Sequence, residues 1–512
     1  MLVKINGASV QGLDAIPVTV EVNASPGFKF YLVGLPDNAV KESHERIVAA
    51  IHNSGFKFPS KQFTINLAPA DVKKEGSGFD LPLAMGILAT EGIVKQDLLG
   101  STMLVGELSL DGSLQPVRGT LPIAVKAREM GFERLIVPRQ NIREAAVVNN
   151  LEVYGAGNIT EVISLLNGMS VLEPTIIDTR KEFYDHQSSF EFDFSDIKGQ
   201  EYVKRAMEVA AAGGHNVIMV GPPGSGKSMI AKRLPSILPP LSLRESLETT
   251  QIHSVAGSLK SGTSLIAQRP FRSPHHTISQ VALVGGGINP QPGEISLAHN
   301  GVLFADELPE FSRNVLEVLR QPLEDRTINV SRAKYSISYP CNFMFVAAMN
   351  PCPCGFYNHP AKACVCTPGQ ITRYLNKISG PLLDRIDLQI EILPVPFSDL
   401  CKLEPGEPSE VIRERVIRAR KMQEERFKDS ALIHCNAQMS EKMLSQYCVL
   451  DEAAIELLRD AMVRMNLSAR AYTRVIKVAR TIADLAGREN IEVNDVAEAV
   501  GYRNLDRGSW GE

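Results

Sequence analysis

The chain has 512 residues, 44% of them hydrophobic and 22% charged, with a formal net charge of −4. Such a length suggests about three domains of roughly 150 residues, and the composition excludes a collagen-like or disordered chain. The small net charge gives no global cue for nucleic acid, so any DNA contact has to be local. Lys4 and Asn6 interrupt the first apolar run, and no run approaches a membrane span; neither a signal peptide nor a membrane partner is expected, and the chain reads as cytoplasmic.

Residues 1–167 alternate apolar strands with helical segments. Strands are predicted at Leu2–Ile5, Val18–Val22, Phe30–Gly34, Phe63–Leu67, Leu104–Leu110 and Leu135–Val137. Helices are predicted at Asn38–Asn53, Leu81–Thr90, Thr120–Met130 and Ile142–Asn149. Asp111-Gly112 between two alternating runs signals a two-residue hairpin. An α/β domain with a mixed sheet follows. Through Gly106–Gly112, Gln115-Pro116-Val117 and Ala127–Pro138 this region resembles the carboxyl-terminal domain of Lon-type proteases, and more closely the Lon-like domain of the recombination helicase RadA. The Lon family uses a Ser–Lys dyad. Gly78 stands at the serine position here and Leu121 at the lysine position. A serine hydroxyl without a base is a poor nucleophile, so Ser77 with Lys126 is a nominal pair and no protease activity is expected. The domain is expected to serve assembly or DNA contact.

Residues 168–195 read as a linker: Gly168 ends a helical pattern, Pro174 breaks the next run, and Tyr184–Ser189 is polar without period. Asp193–Gln200, leading into a helix predicted at Glu201–Ala212, resembles the segment lining the adenine pocket of AAA+ ATPases. The apolar strand Asn216–Val220 then runs into Gly221-Pro222-Pro223-Gly224-Ser225-Gly226-Lys227-Ser228 and a helical pattern. This is the P-loop in its strand–loop–helix context. Its glycines let successive backbone N–H groups face phosphate oxygens, Lys227 supplies charge for the β- and γ-phosphates, and Ser228 offers a hydroxyl to Mg²⁺. Gly301–Ala305 is a second apolar strand, ending in Asp306 and Glu307. A buried parallel strand reads this way, with its acids at the carboxyl end; Asp306 is expected to hold Mg²⁺ through water and Glu307 to polarise the attacking water. Either motif alone leaves room for a chance turn and an ordinary strand; both in this order predict ATP and Mg²⁺ as cofactors. Between them lie Pro270–Thr277 and the Gly-rich Val284–Ile288, expected to form a mobile loop. Neighbouring side chains point apart on regular elements, so His275 and His276 are given a structural or loop role.

After a helix at Val315–Leu319, runs at Thr327–Val330 and Tyr335–Tyr339 flank Ser331-Arg332-Ala333-Lys334, a hairpin with a basic tip. Such a tip is either a solvated turn or, in a ring ATPase, a pair of DNA-backbone contacts from Arg332 and Lys334. The run Asn342–Met349 ends at Asn350, a polar residue placed to orient the attacking water, as the first sensor of AAA+ proteins does. Cys352, Cys354, Cys364 and Cys366 follow, half of the chain's eight cysteines. In a reducing compartment this clustering favours a tetrahedral Zn²⁺ site over disulfides; the alternative is four free thiols in a loop. Ser379–Leu388 resembles the arginine-finger segment of magnesium chelatase and minichromosome-maintenance ATPases. That resemblance implies that Arg385 reaches a neighbouring subunit's γ-phosphate; the alternative is a salt bridge to Asp384 or Asp387. Residues 400–512 are helical, at Val411–Phe427, Glu452–Met465 and Ser468–Ala486. Arg470 matches the family's second sensor by position, with Arg474 as competitor. Arg413, Arg415, Arg418 and Arg420 read as a solvated face.

The order of parts resembles the YifB/ComM family of magnesium-chelatase-like AAA+ proteins over nearly the whole chain. The resemblance implies an α/β fold class: a non-proteolytic Lon-like ChlI-type domain at 1–167, a linker at 168–195, a parallel-sheet AAA+ core at 196–395 with a Cys-rich insertion at 352–366, and a helical lid at 396–512. It further implies a homo-hexameric ATPase ring that acts on single-stranded or branched DNA, as a helicase driving branch migration. Two other classes compete. A metal-chelatase motor needs a porphyrin-type substrate, and nothing here supplies its pocket. A protein remodeller places an aromatic residue at the pore, where this tip is basic.

Overall fold

The computed structural model describes residues 1–169, 172–187, 189–260, 262–287, 290–332, 335–394, 406–430, 433–465 and 467–503. They fall into two compact units: 1–186 with 242–267, and 187–241 with 268 onward.

The first unit is built on a seven-stranded mixed sheet. Its order across is Phe30–Val33, Gln62–Ala68, Asp14–Ser25, Leu2–Gln11, Thr102–Leu104, Arg134–Pro138 and Glu152–Ala156. The first two strands of the chain form one long antiparallel ladder from Leu2↔Asn23 to Gln11↔Asp14. A two-residue turn closes it, with Gly12 in the left-handed region at φ 64°. In the first strand Val3 and Ile5 are buried while Leu2 and Lys4 are exposed, the period of two that one covered face demands. The helix Asp80–Thr90 is buried along its entire length and packs on these two strands.

Several predicted elements change. The run Leu104–Leu110 is not one strand: Thr102–Leu104 joins the sheet, while Glu107–Leu108 pairs with Leu114–Gln115. Gly106 separates them, its N–H bonded to the Gly78 carbonyl at 3.0 Å. The hairpin turn closes where Ser109 N–H donates to Ser113 O at 2.9 Å, so three residues rather than two turn the chain, with Gly112 at φ 85°. Asn38–Asn53 breaks at Glu42 into two helices, and the predicted linker contains the helix Thr179–His186. Residues 242–267, read from sequence as part of the ATPase core, contact the first unit instead. Their helix Leu243–Ala256 has a capping box from Ser242 and Glu245, and lies on the helix Thr120–Glu129. There Gly119 N–H donates to Ser254 O at 3.1 Å, and the Ser254 hydroxyl bonds the buried Glu144 carboxylate.

The second unit carries a five-stranded sheet, all of it parallel, in the order Phe271–Arg272, Val302–Ala305, Met344–Met349, Val217–Val220, Leu388–Glu391. The second, third and fourth strands are buried at every residue, the continuous apolar run of a sheet covered on both faces. Because these strands are parallel, residues that follow them gather at one carboxyl edge. The helices Glu201–Gly213, Ser409–Arg426 and Ala469–Leu485 share the core over this sheet. The arginines of Ser409–Arg426 are not simply a solvated face: Arg415 pairs with Glu407 at 2.6 Å and reaches Glu208, and Arg420 donates to Ala211 O at 3.0 Å. Their long stems bring charge to groups of the helix beneath. Thr327–Arg332 and Tyr335–Pro340 pair antiparallel, as the basic hairpin requires; Lys334 and the Arg332 side chain lie outside the described residues.

Candidate functional site

Three of those carboxyl ends converge. Val220 leads into the glycine-rich turn, Ala305 into Asp306 and Met349 into Asn350. The turn needs its glycines. Gly224 and Gly226 adopt φ 78° and 90°, a region that costs other residues about 1 kcal/mol or more. A Cβ on Gly221 would lie 2.4 Å from the Ile392 carbonyl. The helix Lys227–Arg233 then starts with Lys227 turned back under the loop. Its Nζ donates to the carbonyls of Gly221 at 2.6 Å and Pro222 at 2.9 Å, and to Asn350 Oδ1 at 3.2 Å. Burial pushes the Lys227 ammonium below its usual range, against the pull of Asp306 and Glu307.

Ser228 Oγ donates to Asp306 Oδ2 at 2.6 Å, which joins the two motifs in one hydroxyl–carboxylate pair. A hard divalent cation takes just such oxygen ligands. Ser225 Oγ is buried and, among the described residues, has no hydrogen-bond partner. A Cβ built on Gly224 meets nothing within 4 Å, so the loop borders open space. An orphaned hydroxyl, a lysine and a glycine cradle at one helix N-terminus fit an anionic phosphate chain.

Glu307 is in the left-handed region at φ 53°, its N–H on Asp306 Oδ1 at 3.0 Å and its side chain 57% exposed. His276 Nδ1 lies 3.5 Å from its Oε2. The rings of His275 and His276 sit 4.1 Å apart, tilted by 33°. They do not point apart as expected, because residues 273–278 form neither helix nor strand and the alternation rule has no hold there. A histidine against the exposed acid was missed from the sequence; the signal was the P-H-H-T run itself. Gln200 was missed too. Its backbone is left-handed, and its Nε2 donates to Ser225 O at 3.2 Å.

The arginines stand apart from this cluster. Arg385 is 7% exposed, with its guanidinium 2.6 Å from Glu324. The partner is neither Asp384 nor Asp387, the two weighed from sequence. Asp384 faces Arg470 at 3.6 Å and Asp387 faces Arg474 at 2.8 Å. Arg470 stays 64% exposed in the first turn of its helix, whereas Arg474 is 20% exposed and held. Of the two, Arg470 is the more exposed and the more loosely held.

The four clustered cysteines come together. Sγ of Cys352 lies 3.4 Å from Cys354 and 3.7 Å from Cys364, with Cys354 to Cys364 at 3.5 Å. All four sulfurs, Cys366 included, fall within 4.8 Å of one another. A disulfide needs about 2.05 Å; a tetrahedron with Zn–S near 2.3 Å has edges of roughly 3.8 Å. The donor set therefore fits a four-thiolate metal centre. Ser77 and Lys126, by contrast, are not joined: the Ser77 hydroxyl bonds Glu107, and Lys126 bonds Glu129 at 3.1 Å. Among the described residues no helix is long and apolar enough to cross a membrane.

Comparison with known proteins agrees with this geometry. Residues 193–400 match the family described as magnesium chelatase, subunit ChlI; residues 20–141 match subunit ChlI of Mg-chelatase, and 406–503 its C-terminal part. The chain is 44% identical over 500 residues to the competence protein ComM of Haemophilus influenzae, covering 97% of this chain and 96% of that protein. It is equally similar, 44% over 501 residues, to the uncharacterized protein YifB of Escherichia coli, with the same coverage. A shorter stretch is 33% identical to Lon protease 2 of Bacillus subtilis over 157 residues, 28% of this chain and 27% of that protein.

Proposed function

The chain belongs to the ComM/YifB family of magnesium chelatase-like AAA+ ATPases, and from that premise we propose a ring motor that couples ATP hydrolysis to movement on single-stranded or branched DNA, as a helicase promoting branch migration in recombination or natural transformation. The observation that carries the ATPase half is the Ser228–Asp306 pair beside Lys227 and Asn350 at one sheet edge. In this reading the loop amides and Lys227 bind the phosphates, Glu307 takes the attacking water's proton, and Asn350 orients that water. Mg²⁺, held by Ser228 and Asp306, supplies charge neutralisation at the phosphate oxygens. Arg470 meets the nucleotide from the lid. Arg385 serves the neighbouring subunit, which makes hydrolysis depend on a ring, proposed as a homo-hexamer. The cysteine cluster is proposed to hold Zn²⁺.

The DNA half rests on the kinship with a competence protein and on the paired strands Thr327–Arg332 and Tyr335–Pro340, with Arg332 and Lys334 as the basic residues of that stretch of sequence. Backbone contacts of that kind grip DNA weakly and without sequence preference. The test is ATPase rate and strand displacement with forked DNA, single strands, duplex and unfolded protein. Stimulation by forked or single-stranded DNA, weakened at higher salt, supports the helicase. Stimulation by unfolded protein alone overturns it in favour of a protein remodeller.

A further inference from the structure

The segment 352–366 buries only Cys352 and Gly355 and contains no helix or strand, so it has almost no core of its own. Yet it touches the nucleotide site near its start. Cys352 is fully buried two residues after Asn350, whose side chain receives Lys227. Gly355 is in the left-handed region at φ 84°, and a Cβ there would lie 2.5 Å from Pro223 Cδ. Its backbone rests directly on the P-loop, and the turn is closed by Gly355 N–H on Cys352 O at 3.0 Å.

At the far end, Thr367 follows Cys366 and caps the helix Pro368–Leu375 with a full capping box. That helix buries Ile371 and Tyr374. Beyond it, Lys377 lies 3.3 Å from Glu310, three residues past Glu307. The cysteine loop therefore starts two residues after Asn350 and rests Gly355 on Pro223 of the P-loop.

We propose that the four-cysteine centre is a clamp on the ATPase site: with Zn²⁺ bound, it presses Gly355 on the P-loop and, through the buried Cys352, steadies Asn350, so metal occupancy sets both nucleotide affinity and turnover. The inference rests on the ATPase and zinc readings above and goes beyond them by joining the two. A loop without a core gains its order from metal–thiolate bonds. Loss of that order by about 1 Å at a catalytic group is worth on the order of 10²-fold in rate.

The experiment uses the full chain. Metal content is measured in protein never exposed to chelator, and again after a zinc-selective chelator and after Zn²⁺ is restored. Affinity for a fluorescent ATP analogue and kcat are read at each stage. Stripping should weaken affinity and lower kcat by about tenfold each, and Zn²⁺ should restore both. One variant keeps all four cysteines, and so stays informative even if the stripped protein unfolds. Gly355→Ala should lose mainly affinity, by about tenfold, because its methyl group displaces Pro223. Unchanged affinity and kcat after stripping, or Gly355→Ala at wild-type values with zinc bound, overturn the clamp. Protein that hydrolyses ATP but carries no zinc overturns the metal reading, and protein with zinc but no ATPase activity overturns the ATPase reading.

Discussion

The P-loop and the Ser77 corner of the first unit are assembled from the same parts, a glycine-bearing turn that feeds a helix, but they treat their polar groups in opposite ways. At the P-loop, Ser225 Oγ is buried with no partner among the described residues, and Gly224 faces open space. In the first unit, Ser77 bonds Glu107, and the fully buried Asp80 takes two bonds from Arg46, at 2.7 and 2.9 Å. An unmade buried hydrogen bond costs about 1–3 kcal/mol, a cost that persists where a ligand repays it. Ser225 Oγ is thus open to a ligand, whereas the Ser77 hydroxyl is already engaged.

The sharpest way to break this contrast is at Arg385, which asks whether the P-loop half is complete within one chain. Arg385→Ala should lower ATPase activity about 10³-fold or more while nucleotide binding survives, since a finger in trans is worth that much in related phosphoryl-transfer enzymes. The wild-type arginine must first leave Glu324, 2.6 Å away. Mixing Arg385→Ala subunits with Lys227→Ala subunits should restore part of the activity, because some interfaces then pair an intact loop with an intact arginine. Near wild-type hydrolysis by Arg385→Ala alone defeats the assignment and passes it to the exposed Arg373.

Next in size is Glu307→Gln. The general base contributes about 10²–10⁴-fold, so turnover should fall by at least about 10² while ATP still binds. Lys227→Ala should instead lose tight binding. The pair of measurements separates phosphate contact from water activation; wild-type turnover in the glutamine variant rules out the role given to Glu307.

Much of this was legible in the sequence because both motifs are local. The P-loop is one contiguous run, and Asp306 and Asn350 follow apolar runs whose parallel pairing puts them at one edge. The four cysteines were legible for the same reason. What sequence could not give is contact between distant segments. Glu324 as the partner of Arg385, His276 beside Glu307 and Gly355 against Pro223 all depend on loops whose paths have no periodic signature. The helix Leu243–Ala256 was not assigned from the sequence, nor was its membership of the first unit, because chain order favours assigning that stretch to the elements that flank it.

In the first unit the expected effects are on stability. Arg46→Ala leaves Asp80 buried without its cation, which should cost about 3 kcal/mol. Burial already raises the Asp80 pKa above 3.8, with Arg46 the main opposing influence. Without that arginine the folded pKa rises further. A raised folded pKa means that the unfolded chain ionises first, so the deficit of the variant is full above the folded pKa and fades as the pH falls towards 3.8. Denaturation midpoints of variant and wild type should therefore converge on acidification. A gap that widens at low pH contradicts the pairing.

The smallest effect is expected at Ser77. Its hydroxyl donates to the Glu107 carboxylate, a weak base, and Lys126 pairs with Glu129 rather than with Ser77. Ser77→Ala removes one hydrogen bond, worth about 0.5–1.5 kcal/mol, and leaves Glu107 a neighbour short. ATPase rate, nucleotide affinity and metal content should all stay at wild-type values, and neither protein should cleave peptides. The discriminating reagent is a fluorophosphonate, which labels serines only when a base activates them. Wild-type protein should remain unlabelled at Ser77 under conditions that label an active serine hydrolase. Labelling that disappears in Ser77→Ala would show a live nucleophile in the first unit, and the contrast with the P-loop would then have to be drawn between two working sites.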